Sequence, residues 1–448
     1  MIILVTMEGE NALPRFNIKT FGCQMNVYDT DRLRTALMSR EWEESSEQDA
    51  DVLVFITCSI RAKAEQKVLS DLGRCGERWR QGGKPRVALL GCMAQRIGRK
   101  VALQCPWICL VAGPRHLGVV PDALLDAYTE EQPRLYLDDD PRGLEDLCTP
   151  PLERTNPYKA FVTIAHGCDH FCSYCIVPYV RGRFQSRRAE LILSEAETLV
   201  ASGVREIMLL GQNVNSYGSD LEGQTFAQLL RSIAAIPGLL RLRFTTSHPV
   251  DFGDDILEVM ANYPVIAPSI NLPVQSGSDA ILKEMNRGYD RTQYLDAIGR
   301  IRAALPGVAI TTDIIVGFPG ETDQDFEDSL DLLRRVRFDM AHTASYSPRE
   351  GTVAAKREDA IPSEIKAARL DQLNRLQAAI GLEINLELEG QVLDVFFDGK
   401  AGKGEGLLQG RTATDKVVIA RSAEHHLGKM VPVRIKSATA WSLEGEIV

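Results

Sequence analysis

From Phe16 to about residue 345, short runs of β-branched and aliphatic residues alternate with amphipathic stretches. Such a chain buries both kinds of segment best as a parallel sheet with crossover helices packed on it. The first three repeats share a further property. "FNIKTFG" leads into Cys23 and then "MNVYDTDRLRTALMSR", whose Val27, Leu33, Leu37 and Met38 fall on one helical face. "DVLVFIT" leads into Cys58 and "SIRAKAEQKV", and "RVALLG" leads into Cys92 and "MAQRIGRK". Each cysteine therefore ends a strand. Parallel strands present their carboxyl ends along one sheet edge, where ligands bind and the following helices aim their positive ends. Cysteines 35 and 34 residues apart are thus expected to meet in space. Any one of them alone reads as a small core residue, but three at the same topological position point to metal ligation.

A second series is longer. Six strand candidates, "KAFVTIA", "EIMLLGQNV", "LRLRFTTS", "APSINLPV", "GVAITTDIIVG" and "MAHTASYS", alternate with amphipathic helices. Six βα units are too few for a conventional eight-stranded barrel, so a partial barrel is expected, with its site at the strands' carboxyl ends. A Pro-rich, acidic stretch over 136–157 separates the two series and reads as a linker. After a long helix from about Ser363 to Leu388, the remainder is β-rich with Gly-containing turns, the pattern of a small antiparallel barrel. The expected domains are 14–135, 158–388 and 389–448, an α/β protein overall.

Directly after the first strand of the second series comes "HGCDHFCSYCIVPYVRGR", with Cys168, Cys172 and Cys175. A zinc ribbon or finger would supply a further CxxC or a histidine pair nearby; His248 is distant, and His166 and His170 lie inside the loop. Three thiolates on a 4Fe-4S cluster leave one iron open to an outside ligand, as a catalytic zinc keeps a position for water. Ten cysteines among 448 residues, without a dense paired framework, suit a reducing compartment. The apolar opening "MIILVTM" is too short for a signal peptide or membrane span, and a cytoplasmic location is expected.

The net charge of −10 argues against indiscriminate nucleic-acid binding. That excess is local, since residues 388–448 carry eight basic and eight acidic side chains. Residues 176–188 hold Arg181, Arg183, Arg187 and Arg188 and no acid. By composition such a run is a solvated face; its place beside the cysteines makes it a candidate phosphate path. "GFPGET" lacks the Lys and spacing of a phosphate loop and reads as a strand-to-helix turn. Gln275, Arg287 and Asp313 lie near predicted strand ends, where each is either a cofactor or base contact or a structural residue. Cys75, Cys105, Cys109 and Cys148 fit no cluster spacing and read as ordinary thiols.

On the strength of "CDHFCSYC", the chain resembles the radical S-adenosylmethionine (SAM) superfamily, whose signature is CxxxCxxC. The resemblance implies that SAM occupies the open iron and is split there to a 5′-deoxyadenosyl radical. It also implies that Tyr174 lies by the adenine and that Gln212 and Asn213, in "GQN", hold the methionyl amine; a self-satisfied turn is the alternative for those two. With Cys23, Cys58 and Cys92 ahead of that motif, the chain is similar to the radical SAM methylthiotransferases. "TFGCQMNVYDTDR", "TCSIRAKAEQKV", "FTTSHP", "LPVQSGSD", "DIIVGFPGET" and "YSPREGT" all match in order. The "GCQMN" and "TCSIRAKAEQKV" stretches look like the MiaB-like branch, which acts on isopentenylated adenosine beside the tRNA anticodon. Phe184 and Glu350 depart from that branch, which often has Glu and Pro there.

What the resemblance implies is specific. A second 4Fe-4S cluster on Cys23, Cys58 and Cys92 carries sulfur, one SAM methylates it, and a second SAM supplies the radical that opens adenine C2. Gln275 and Asp313, from their place near strand ends, are counted with the cofactor contacts, and the resemblance makes residues 389–448 a TRAM-like RNA-binding barrel. Expected partners are the tRNA anticodon stem-loop, an electron donor such as flavodoxin or ferredoxin, and a sulfur source, with no membrane and a monomeric chain. The rival readings are a methylthiotransferase for threonylcarbamoyl-adenosine tRNA or a ribosomal-protein aspartate, a two-cluster electron-transfer protein, and a non-catalytic metal-stabilised RNA-binding protein.

Overall fold

The computed structural model describes residues 13–59, 62–137, 154–402 and 405–448. Residues 138–153 of the expected linker, with Cys148, lie outside the described residues. Two compact units result, Met1–Glu153 and Arg154–Val448.

The first unit runs β1 Arg15–Thr20, α1 Gln24–Met38, β2 Glu43–Glu44, β3 Val52–Thr57, α2 Ala62–Gly82, β4 Arg86–Gly91, α3 Cys92–Gln104, β5 Ile108–Ala112, α4 Val120–Ala127 and β6 Arg134–Tyr136. Its parallel sheet has the order β2-β1-β3-β4-β5-β6. Every residue of β3, "VLVFIT", is buried, as a central strand covered on both faces requires. Phe16, Leu33, Trp42 and Ile56 belong to one core cluster, and Phe55, Leu72, Met93 and Trp107 to another. The predicted apolar stripe of α1 is shifted in the structure. Leu33 and Leu37 are buried, but Met25 and Tyr28 join them, whereas Val27 is half-buried and Met38 exposed. The buried arc of this helix also takes in Asn26, Asp29, Asp31 and Arg32, so hydrophobic spacing alone does not locate it.

In the second unit, β7 Lys159–Thr163 leads into a two-stranded ribbon, β8 Ala165–His166 paired with β9 Gln185–Ser186, that brackets α5 Val177–Arg181. There follow α6 Ala189–Ala201, β10 Glu206–Leu210, α7 Phe226–Ala234, β11 Arg241–Phe244, α8 Asp254–Asn262, β12 Ser269–Asn271, α9 Asp279–Glu284, α10 Arg291–Ala304, β13 Ala309–Val316, α11 Asp323–Val336, β14 Met340–Ser345 and α12 Ser363–Leu386. The six expected strands form two parallel three-stranded sheets, β7-β10-β11 and β12-β13-β14, linked by a parallel bridge between Leu242 and Ile266. That is the partial (βα)6 arc. The "GFPGET" segment is a turn: the Gly317 N–H donates to Glu321 at 2.7 Å, and Thr322 caps α11 with Asp325 as its reciprocal partner.

The chain ends in a closed five-stranded barrel in the order β15-β16-β17-β19-β18, formed by β15 Val392–Lys400, β16 Leu407–Thr412, β17 Val417–Arg421, β18 Met430–Ala438 and β19 Ser442–Ile447. Its core holds Val395, Phe397, Val418, Val433 and Leu443. Charged residues at the amino-terminal ends of β7, β10 and β11 join the arc to it. Lys159 lies 3.5 Å from Glu206 and 3.6 Å from Asp398, Arg241 lies 3.3 Å from Glu206, and Arg243 pairs with Asp415. No helix of the described residues is long and apolar enough to cross a membrane.

Candidate active site

Strand order in the first unit changes direction between β1 and β3, the point at which open parallel sheets bind ligands. Cys23 caps α1, Cys58 follows the last residue of β3, and Cys92 opens α3. Register brings them together. Thr57 stands opposite Gly91, so Cys58 and Cys92 leave neighbouring strands at the same level. The Phe21 N–H donates to Ile56 at 2.9 Å and carries the β1 pairing up to the turn that holds Cys23. Gly22, at φ 108°, has no room for a side chain, because an added Cβ would lie 2.2 Å from the Cβ of Cys58. Gly91, at φ 94°, is equally bare: an added Cβ would lie 2.5 Å from the Thr57 carbonyl. Asn26, 1% exposed, donates to the Phe21 carbonyl at 2.6 Å and accepts from the Cys23 thiol at 3.6 Å. Cys58 and Cys92 are buried, and Cys23 is half-buried. Three sulfur donors at one sheet edge fit an iron-sulfur cluster. Cys109 and Cys75 are core thiols instead, pushed up by burial to about 12 and about 11, and Cys105 is raised by the same cause.

In the second unit the cysteine loop leaves β8 at the carboxyl end of β7, where the sequence places it. Backbone and side-chain hydrogen bonds hold it on several sides. Gln212 accepts from the Gly167 N–H at 2.6 Å, and Ser173 donates to the Met285 and Glu284 carbonyls at 2.9 and 2.7 Å. Asn286 donates to the carbonyls of His170 and Phe171 at 3.3 and 3.2 Å. Burial raises the Cys168 thiol, and it pushes Cys175 up to about 12; in both, the neighbouring Cys172 adds to the rise. Cys168 and Cys175 thus both lie beside Cys172, and a cationic cluster would relieve the repulsion among their thiolates as the protons leave. This donor set fits a three-cysteine 4Fe-4S cluster.

The loop also meets two residues that sequence distance concealed. His248 stacks on His170, with ring centroids 3.7 Å apart and planes at 11°, and His170 lies 2.7 Å from Asp251. The ligand atoms of these three come within 4.8 Å of one another. Parallel stacking, however, keeps the in-plane lone pairs of the two rings side by side, so they do not converge on one ion. Burial, with Arg287 and His170 beside it, lowers His248 to about 2, which keeps its imidazole neutral. Asn213 serves the same knot: it donates to Asp251 at 2.5 Å and to Ser216 at 2.6 Å, and it accepts from the His248 backbone N–H at 3.1 Å. Asn213 is 2% exposed, held by these contacts beside the cysteine loop.

Other candidates divide. Tyr174 is half-buried, with its hydroxyl 3.5 Å from Arg287. Burial alternates along β13, leaving Thr311, Asp313 and Ile315 on the more open face, and Asp313 accepts from Asn271 at 3.2 Å. The Gln275 N–H donates to the Asp313 carbonyl at 2.8 Å. Arg183 and Arg188 are exposed. Arg181 and Arg187 are not: each is 4% exposed, and Arg187 donates to the Thr163 carbonyl at 2.5 Å and to Glu195 at 2.8 Å. Of the four candidates for a phosphate path, Arg183 and Arg188 alone reach the surface, and Arg187 is held inside by Glu195 of α6.

Comparison with known proteins agrees with this architecture. Residues 15–113 match the uncharacterized protein family UPF0004, residues 162–333 the Radical SAM superfamily, and residues 387–448 the TRAM domain. The tRNA-2-methylthio-N(6)-dimethylallyladenosine synthase of Carboxydothermus hydrogenoformans is 43% identical, over 97% of this chain and 99% of its own length. Those of Clostridium botulinum and Moorella thermoacetica are each 42% identical, over 99% and 97% of this chain and 99% and 98% of theirs. In fold, the chain is similar to the radical S-adenosylmethionine methyltransferase TsrM from Kitasatospora setae (TM-score 0.54, 13% identity, 89% of this chain and 81% of that one). Membership of the Radical SAM superfamily implies SAM and a 4Fe-4S cluster. From its domains and its full-length relatives, the chain belongs to the radical SAM tRNA methylthiotransferase family, that of the tRNA-2-methylthio-N(6)-dimethylallyladenosine synthases.

Proposed function

We propose that this protein inserts a methylthio group at C2 of N(6)-dimethylallyl (isopentenyl) adenosine at position 37 of tRNA, next to the anticodon, with one SAM as methyl donor and a second as radical source. The observation that carries this reading is a pair of three-cysteine sites, Cys23, Cys58, Cys92 and Cys168, Cys172, Cys175, each at the carboxyl end of parallel strands. When bound, the second site's cluster supplies the electron that splits SAM, and an auxiliary cluster at the first supplies sulfur. The chain's own residues position and shield. Tyr174 flanks the adenine of SAM, Gln212 keeps the cysteine loop against β10, and Gln275, after β12, and Asp313, on β13, line the approach. Arg183 and Arg188 guide RNA phosphates, and a base flipped from the anticodon loop reaches the mouth at little cost in stacking. The TRAM barrel adds RNA affinity. A flavodoxin or ferredoxin as donor, an external sulfur source, a cytoplasmic setting and a monomeric chain complete the reading.

The test is nucleoside mass spectrometry after reconstituted, reduced protein meets SAM and tRNA that carries N(6)-dimethylallyladenosine. A 2-methylthio product supports the reading. Product only on threonylcarbamoyl-adenosine or a ribosomal-protein aspartate, or 5′-deoxyadenosine with no methylthio product on any of them, contradicts it.

A further inference from the structure

Arg287 is 5% exposed, in the turn after α9 and beside the cysteine loop. Its guanidinium donates to the Pro273 carbonyl at 2.7 Å, to the Tyr289 hydroxyl at 3.0 Å, to the Cys172 sulfur at 3.3 Å and to the Tyr174 hydroxyl at 3.5 Å. Tyr289 is itself anchored to the Val274 carbonyl at 2.8 Å, so the fork is fixed from both sides. Arg187, Arg241, Arg243 and Arg369, also buried in this unit, each meet a carboxylate: Glu195, Glu206, Asp415 and Glu321 in turn. Arg287 has none among the described residues. A buried guanidinium without an anion is costly, and the one ionisable sulfur it touches is a ligand of the proposed cluster.

We propose that Arg287 is the fixed counter-charge of the cluster on Cys168, Cys172 and Cys175, a positioning residue that makes that cluster easier to reduce. This rests on the reading of those three cysteines as cluster ligands. The step is uptake of one electron from a low-potential one-electron donor of the flavin or iron-sulfur class, with no bond made or broken. The electron adds one negative charge to the centre. A permanent cation at one of its ligands stabilises the reduced state more than the oxidised one, the more so away from water. Arginine suits this position because it stays charged when buried.

The test is potentiometric titration followed by electron paramagnetic resonance, on full-length protein with Cys23→Ala, Cys58→Ala and Cys92→Ala, so that one cluster gives the signal. Arg287→Gln is expected to weaken the reduction equilibrium about tenfold, a shift of about 59 mV to more negative potential. Arg287→Lys should remain within about threefold of the parent. An unchanged potential in Arg287→Gln overturns the proposal, and so does a shift as large in Arg287→Lys. Weaker SAM binding at an unchanged potential marks a cofactor contact instead and also overturns it. If Arg287→Gln holds no iron, Tyr289→Phe, which loosens one anchor of the guanidinium, must move the potential in the same negative direction, and no movement overturns the proposal. Parent protein without about four irons contradicts the cluster reading beneath it, an outcome distinct from these.

Discussion

At the scale of single residues, the basic run after the cysteine loop divides by burial. Arg187, paired with Glu195 at 2.8 Å with both side chains 3% exposed, is structural. Arg187→Ala is expected to destabilise the second unit by about 3–5 kcal/mol, read by denaturant unfolding, because it strands a buried carboxylate. Arg183→Ala and Arg188→Ala should leave stability within about 0.5 kcal/mol, yet weaken tRNA binding and each lower the salt dependence by about one counterion in a filter-binding titration. A spacing rule sees four arginines; it does not see that Glu195 of α6 takes Arg187 inside. His248 carries a pH signature. Its ordinary value of 6.5 falls to about 2 in the fold, through burial, Arg287 and His170, while Asp251 opposes. The unfolded chain therefore binds more protons below pH 6.5, and stability present above that pH is lost on acidification toward 2. Between pH 6.5 and 5 the wild-type chain should lose about 2 kcal/mol from this residue. Urea unfolding of His248→Phe, which keeps a ring on His170, should show a correspondingly flatter pH dependence; equal slopes would contradict the assignment.

Among the elements, the strand ends carry the first cysteine site. Gly22→Ala would place a Cβ 2.2 Å from that of Cys58 at φ 108°. It is expected to lower iron from about eight to about four per chain in the reconstituted protein, measured by iron and sulfide analysis, while the second site stays loaded. Retention of full iron would show that the close approach is dispensable. The three strand-cysteine-helix units were legible in the sequence because parallel register is repetitive: equal positions after equal strands end at one edge. The stripe on α1 was less so, since the helix buries Asn26, Asp29 and Arg32 along with its apolar residues. The contact of His248 with the cysteine loop had no local signal at all. It depends on β11 lying beside β10, a pairing between segments some 35 residues apart in register, such as Glu206 and Arg241.

For the whole molecule, the six-strand arc and the closed terminal barrel follow from hydrophobic period and the spacing of turns. The joint between arc and terminal barrel does not, because its partners are polar and far apart in sequence. Arg243 and Asp415 meet there; burial disfavours the carboxylate, but the guanidinium outweighs it and holds Asp415 below its usual range. Asp415→Asn should cost about 3 kcal/mol and loosen β16 and β17, seen as faster amide exchange in those strands. The most direct test of the account is iron and labile sulfide content of anaerobically reconstituted Cys168→Ala, Cys172→Ala, Cys175→Ala protein beside wild type. Two independent three-cysteine centres predict about eight irons in wild type and about four in the variant. Fewer than one iron in that variant, with an otherwise folded chain, would contradict the account.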